Sequence, residues 1–379
     1  MTDAEIQIKR NELKLIKAEA EKFYNYEQGV KLVLNSIYGA FGNPYFYFFN
    51  VDIAETITLQ GKDAILYTEE LINRYFRQFW HKDIAVHEKM GITVTGKIEK
   101  PVGIYIDTDS IFIKFDEVIK KSDWKGNEKE FILSLYKTRL GDYIEKILQK
   151  YADDNNAENF LSFELESIAK NAIWLAKKKY MQNIVWKDPD IHYDDLTKIS
   201  AKGFEIIQSS TPVFAREKLK ELITYLFSVN ELNMKEFANR LKEIKRQFKL
   251  ANTDHISFSK KVNNYQKYII NDYDEFEIGS KCPIGVRAAG YHNYILHNSG
   301  LKGKYQPLGN GEKLKMYFSM DKSCEVFAYA PGDYPYEFAP QVDYDTQFEK
   351  TILDPINRVI TAMGFKGFNR NLIYTTSLF

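Results

Sequence analysis

An α+β fold with antiparallel sheet is what the sequence predicts, and three observations predict it. Residues 2–41 form one Pro-free run, rich in Lys and Glu, with helical patterning. The stretch 102–115 alternates about a tight polar centre, as antiparallel hairpins do, and a second hairpin is expected around Lys177-Lys178-Lys179. Beyond Gly203 the pattern turns mostly helical and basic.

Taken in order, the helix over 2–41 stops at a Gly-Asn-Pro turn, Gly42-Asn43-Pro44. A second helix is predicted over 52–80, with Ile53, Ile57, Ala64, Leu71, Tyr75 and Phe79 as its apolar stripe. A loop with Gly91 and Gly96 follows. In the hairpin at 102–115, Ile104 and Ile106 lead in, Ile111 and Ile113 lead out, and Asp107-Thr108-Asp109-Ser110 forms the tip. A helix is expected over 128–151, then an Asp- and Asn-rich loop, then a strand over 161–166 that puts Glu164 and Glu166 on one face. A short strand pair is expected near 314–318 and 326–329. No repeat or low-complexity linker interrupts the chain.

Composition narrows the class. With 379 residues, 44% hydrophobic and 15% aromatic, the chain is globular and long enough for two or three cores. No apolar run reaches bilayer length, and the N-terminal segment reads as a charged helix rather than a signal peptide. Cys282 and Cys324 show neither metal spacing nor a disulfide framework, which fits a reducing cytoplasm. The net charge of +0 conceals a gradient: residues 170–261 hold 18 Lys+Arg against 11 Asp+Glu. A basic region beside an acidic one suits phosphate binding in one place and cation binding in another, although solvated helix faces produce similar runs.

Two motifs carry chemistry. On a helix Lys31, Asn35 and Tyr38 stand at i, i+4 and i+7 and share a face, with Gly39 next. A cation, an amide and a flat ring on one stripe can hold a triphosphate, a sugar and a base pair; an amphipathic helix with an exposed lysine is the other reading. In the second motif, Tyr105-Ile106-Asp107-Thr108-Asp109-Ser110, two carboxylates crowd one turn. They repel unless a cation lies between them, and hard oxygen donors of this kind suit Mg²⁺. An ordinary Asp-rich hairpin turn is the other reading.

In this order, Lys-x-x-x-Asn-Ser-x-Tyr-Gly followed about 70 residues later by Tyr-x-Asp-Thr-Asp-Ser resembles motifs B and C of the family B DNA polymerases. The likeness runs through nearly the whole chain from about Glu12 and is to the replicative polymerases of T-even-type bacteriophages. It implies a fingers helix (1–44), a palm with an antiparallel sheet (45–203) and a mostly helical thumb (204–379). It implies Asp109 and Asp107 as catalytic, metal-binding carboxylates for two Mg²⁺ ions, with Glu166 as a further candidate ligand. Lys31, Asn35, Tyr38 and Gly39 would bind the incoming dNTP. Lys177-Lys178-Lys179-Tyr180 is similar to the family's Lys-Lys-Arg-Tyr element, with Lys179 where the family has Arg. Lys202-Gly203-Phe204-Glu205 is similar to the palm-to-thumb junction. These residues, Lys202 and Gly203 included, would follow primer–template DNA. Ser209-Ser210-Thr211-Pro212 and Lys281-Cys282-Pro283 with Arg287 extend the match.

The family's motif A, with the other essential metal-binding Asp, precedes motif B, and only one helix does so here. The stretch Glu130 to Tyr136 imitates it, but with Glu for Asp, one residue too many and Lys137 where Pro belongs. The expectation is therefore a DNA-directed DNA polymerase split in two, with a piece cut from a longer polymerase as the alternative. An N-terminal chain would bring the exonuclease, motif A and the other fingers helix, across a large interface. Ser377-Leu378-Phe379 resembles the opening of a sliding-clamp peptide. The rival reading is a catalytically silent DNA-binding subunit of polymerase shape. A protein-primed polymerase fits less well with the long helical tail, and a reverse transcriptase would have adjacent aspartates. His292 and His297 have no ligand spacing and read as ordinary core or surface positions. No membrane is implied; the host cytoplasm is the expected location if the chain is viral.

Overall fold

The computed structural model describes residues 3–367 and Ile373. The expected helix start at Thr2 and the clamp-like Ser377-Leu378-Phe379 lie outside the described residues. The fold is α+β, as expected, and forms two compact units, Met1–Glu164 and Leu165–Phe379.

The first unit opens with α1 (Asp3–Phe41), unbroken over 39 residues. Many of its apolar side chains, among them Leu15, Phe23, Leu32 and Val33, are more than half exposed. After the turn, Asn50 caps α2 (Val51–Arg74) by accepting from the Ile53 N–H at 3.0 Å. The helix runs on through a wide π-type turn, Tyr75–Phe79. The buried face of α2 is Ala64, Ile65, Thr68 and Ile72, continued by Tyr75, Phe76 and Trp80. This corrects the predicted stripe: Ile53, Ile57 and Phe79 are exposed. The first half of α2 has no buried face, residues 51–63 being exposed apart from Ala54, so Ile53 and Ile57 have nothing to pack against among the described residues. Next come α3 (Ile84–Met90), β1 (Gly103–Asp107), β2 (Ser110–Ile113) and α4 (Asp116–Lys121). The helix predicted over 128–151 is present as α5 (Glu128–Leu135) and α6 (Gly141–Asp154), joined by a second π-type turn. Its fully buried Phe131 and Leu135 pack with Phe76 and Trp80. At the rim, Arg139 pairs with Asp83 at 3.0 Å and lies 5.4 Å over the Tyr75 ring, while the Tyr75 hydroxyl donates to Asp83 at 2.8 Å.

The strand expected over 161–166 is not formed. Residues 157–166 carry no ladder; Phe163 tucks against the first core, while Leu161 is 47% exposed. Alternation marks a wet and a dry face, but a strand also needs a partner edge. That begins at Ser167, paired with Lys187.

In the second unit β3 (Ser167–Ala176) and β4 (Lys179–Lys187) form the expected hairpin. The far edge of β4 takes β5 (Ile191–His192) and β6 (Ile199–Lys202). Helices α7 (Val213–Ser228), α8 (Met234–Leu250) and the short α9 (Thr253–Ile256) follow. Then come β7 (Phe258–Lys261), α10 (Tyr265–Tyr268) and the hairpin β8 (Ile269–Asp272) and β9 (Phe276–Ile278). The rest is α11 (Ile284–Ser299), β10 (Lys313–Phe318), β11 (Val326–Tyr329), α12 (Tyr344–Phe348) and α13 (Asp354–Ala362). The mostly helical reading beyond Gly203 holds, with more strand than expected. The expected pair β10 and β11 gains β7 as a third strand, in order β11–β10–β7, and β8 and β9 form a further hairpin. The unexpected strands β7, β8 and β9 have three or four residues, too few to show a period.

Candidate functional site

The hairpin bearing Asp107 and Asp109 is held from two sides. Along it, Tyr105 pairs with Phe112 and Asp107 with Ser110, leaving Thr108 and Asp109 as the turn. Thr108 has φ +63°, a rare value for a β-branched residue that costs roughly 1–3 kcal/mol. The Asp109 N–H donates to the Asp107 carbonyl at 2.7 Å, closing a tight three-residue turn. One side chain is thereby turned inward and the other outward: Asp107 is buried and Asp109 exposed. Thr108 Oγ1 lies 3.4 Å from Asp107 Oδ1, and Ser110 Oγ 3.3 Å from Asp109 Oδ1.

At its base the hairpin is gripped by α2. The side-chain oxygen of Asn73 accepts from the backbone N–H groups of Val102 at 2.8 Å and Gly103 at 2.9 Å. Its amide nitrogen donates to Glu69 Oε1 at 3.1 Å. A Cβ on Gly103 would fall 2.6 Å from that same Glu69 oxygen, so glycine allows the strand to lie this close. Sequence reasoning missed Glu69 and Asn73. The available signal was a polar i, i+4 pair beside the buried face of the helix. Asn73→Leu is expected to strand two backbone donors and lower unfolding stability by about 2 kcal/mol or more. Denaturant unfolding measures this, and an unchanged midpoint would mean that water replaces the amide.

Lys31, Asn35 and Tyr38 share one face of α1, as their spacing requires, and all are exposed together with Gly39. A Cβ on Gly39 would meet nothing within 4 Å.

In the second unit Lys177 and Lys178 form the two-residue turn between β3 and β4, with Ala176 paired to Lys179 across it. Both are exposed, and Lys178 has φ +58°. Tyr180 pairs with Lys202 of β6, whose ammonium lies 5.9 Å over the Tyr180 ring. Gly203 comes next, at φ +69°, and a Cβ there would fall 2.3 Å from the Lys178 carbonyl oxygen. Phe204 is buried in the core. Lys179 is turned away from its two lysine neighbours. Its Nζ lies 3.0 Å from Glu205 Oε1 and 5.2 Å over the Phe204 ring.

Asp109 offers an accessible hard-oxygen donor of the kind Mg²⁺ takes, and Asp107 a buried one beside it. Among the described residues no group of three or more His, Cys, Asp or Glu side chains gathers as a metal shell would. Glu164 and Glu166 are exposed.

The family model for DNA polymerase family B matches residues 6–281, which include both motifs and the Lys177–Glu205 region. The chain belongs to DNA polymerase family B. Among curated relatives, this family B chain is 25% identical over 356 residues to the DNA-directed DNA polymerases of Escherichia phage RB69 and Enterobacteria phage T4. Those alignments cover 88% of this chain and 36% of each phage protein. The DNA polymerase alpha catalytic subunit of Xenopus laevis is 25% identical over 202 residues, 53% of this chain and 11% of that protein. The chain thus spans about a third of the phage relatives' length. No described helix is long and apolar enough to cross a membrane.

Proposed function

We propose that the chain supplies the motif B and motif C side of a DNA-directed DNA polymerase and the surface that follows primer–template duplex. The observation that carries this is the strained Thr108 turn, which sets the Asp109 carboxylate outward at the tip of a hairpin clamped by α2. We assign residues 1–44 to fingers, 45–203 to a palm with its two hairpins, and 204–379 to a thumb.

Asp109 would be the principal metal ligand and Asp107 the lesser one. Two Mg²⁺ ions, when bound, would activate the primer hydroxyl and stabilise charge on the leaving pyrophosphate. Asp107 and Asp109 alone do not make a two-ion shell. The further carboxylate is taken to come from polypeptide outside these 379 residues, on a second chain or on a preceding part of the same protein. The exposed apolar side chains of α1 and of the first half of α2 fit that reading, since such surface is costly in water.

On α1, Lys31 would meet the triphosphate, Asn35 the sugar region and Tyr38 the nascent base pair. In the second unit Lys177, Lys178, Tyr180 and Lys202 would lie along the duplex, mostly on phosphates, which gives steep salt dependence and little sequence preference.

Primer extension tests the proposal. The chain alone should not extend a primed template, and adding the N-terminal polymerase region should restore extension. Extension by the chain alone would overturn the incomplete-site reading. In the restored system Lys31→Ala should raise the nucleotide KM roughly tenfold or more, the worth of a charge-assisted contact. Tyr38→Ala should act mainly on the ratio of matched to mismatched insertion. Identical behaviour of the two variants on both nucleotides would refute the assigned roles.

A further inference from the structure

The second unit contains an ion triad that the duplex reading does not use. Glu205 Oε1 receives Lys179 at 3.0 Å and the Arg358 guanidinium at 2.5 Å. The Lys179 and Glu205 side chains are 23% and 19% exposed, and that of Arg358 50%. Arg358 stands on α13, whose Ile356, Val359 and Ile360 are buried in the same core as Met181 and Phe204. One carboxylate oxygen therefore links the β3–β4 hairpin tip to a helix whose Arg358 lies 153 residues beyond Glu205.

We propose that this triad is a positioning lock: Glu205 and Arg358 hold Lys179 so that the adjoining turn presents Lys177 and Lys178 to the duplex, and Lys179 itself contacts no phosphate. The inference rests on the duplex reading above. A lysine held by a carboxylate and an aromatic face loses both when it turns to a phosphate, whereas its two neighbours in the turn are exposed. The lock has a local frame. The Lys178 carbonyl rests on Gly203, Phe204 fills the core beneath, and Glu205 takes the cation. Lys-Gly-Phe-Glu is thus accounted for residue by residue as the seat of the Lys177–Lys178 turn.

Electrostatics agree with the geometry. Burial acts to raise the Glu205 carboxyl, but its own backbone N–H, Lys179 and the charge of Arg358 outweigh this and hold it below its ordinary value near 4.5. A depressed carboxylate stabilises the fold fully above that ordinary value, and the contribution is lost as pH falls through the folded value.

The test is duplex affinity of the full chain as a function of salt, with Tm measured on every variant. Lys177→Gln and Lys178→Gln should each lower the slope of log Kobs against log salt by about 0.9, one phosphate contact apiece. Lys179→Gln should weaken binding severalfold with the slope unchanged, and Lys179→Arg should restore it by keeping a cation on Glu205. Arg358→Gln, at a half-exposed position, should also weaken binding without changing the slope, and should do nothing further in a Glu205→Gln background. A slope loss of about one unit in Lys179→Gln, or an Arg358 effect that persists without Glu205, would overturn the lock. A slope indifferent to both Lys177→Gln and Lys178→Gln, or no binding by the unaltered chain, would overturn the duplex reading and the lock with it.

Discussion

Asp109→Ala is expected to abolish nucleotide addition in the completed polymerase while leaving duplex affinity nearly intact. Stabilisation of transition-state charge by a bound metal is worth several kcal/mol. At about 1.4 kcal/mol per tenfold, losing the principal ligand should lower kcat a thousandfold or more. The duplex contacts proposed here lie on other residues, so the salt slope should not change. The fold should also survive. Asp109 is exposed, and the turn is closed by its backbone N–H, which alanine retains. Asp107→Asn should cost less activity but more stability, because Asp107 is buried. Single-turnover incorporation on a primed template separates the two. Turnover near wild type in Asp109→Ala would remove Asp109 from the active site and favour a silent DNA-binding role.

The first hairpin was legible in the sequence because it couples period-two alternation to a polar turn within about fifteen residues, and the second was marked by its run of three lysines at the turn. The long helix over 2–41 was equally legible, since it needs no partner to be recognised. What escaped depends on partners distant in sequence. Asn73 looks like any polar residue of a helix until its acceptor is found under Val102 and Gly103. Arg358 looks like a solvent-facing arginine until it is found on Glu205. The strand expected over 161–166 failed for the converse reason: the pattern was present and the partner edge was not. Among the candidate site residues, those on α1 and at the two turns stand where their spacing implied. The three lysines in a row proved unequal, since β-strand alternation and the Ala176–Lys179 pairing put Lys179 against Phe204 and Glu205 while Lys177 and Lys178 stay in the turn.

Gly203→Ala is expected to be the most destabilising single methyl in the second unit, and to weaken duplex binding with it. Two demands meet at this residue. Its φ of +69° lies in the left-handed region, which costs an L side chain roughly 1–2 kcal/mol. In addition, the new Cβ would fall 2.3 Å from the Lys178 carbonyl oxygen and 3.3 Å from the Lys179 Cα. Those neighbours are backbone and cannot rotate aside. Either β6 leaves the register that pairs Tyr180 with Lys202, or the Lys177–Lys178 turn lifts. Overpacking of this sort adds about 1–3 kcal/mol, for a total of about 2–5 kcal/mol. In a unit of this size that lowers Tm by on the order of 10 °C. Gly300 provides the control. It has a similar φ of +72°, and a Cβ there would meet nothing within 4 Å. Gly300→Ala should therefore show the conformational part alone, about 1–2 kcal/mol, with duplex affinity unchanged. Equal losses of Tm in the two variants would show that φ, and not the approach of the Lys178 carbonyl, is what requires glycine at 203. A Gly203→Ala protein that keeps full duplex affinity would separate the Gly203 seat from the presentation of the turn.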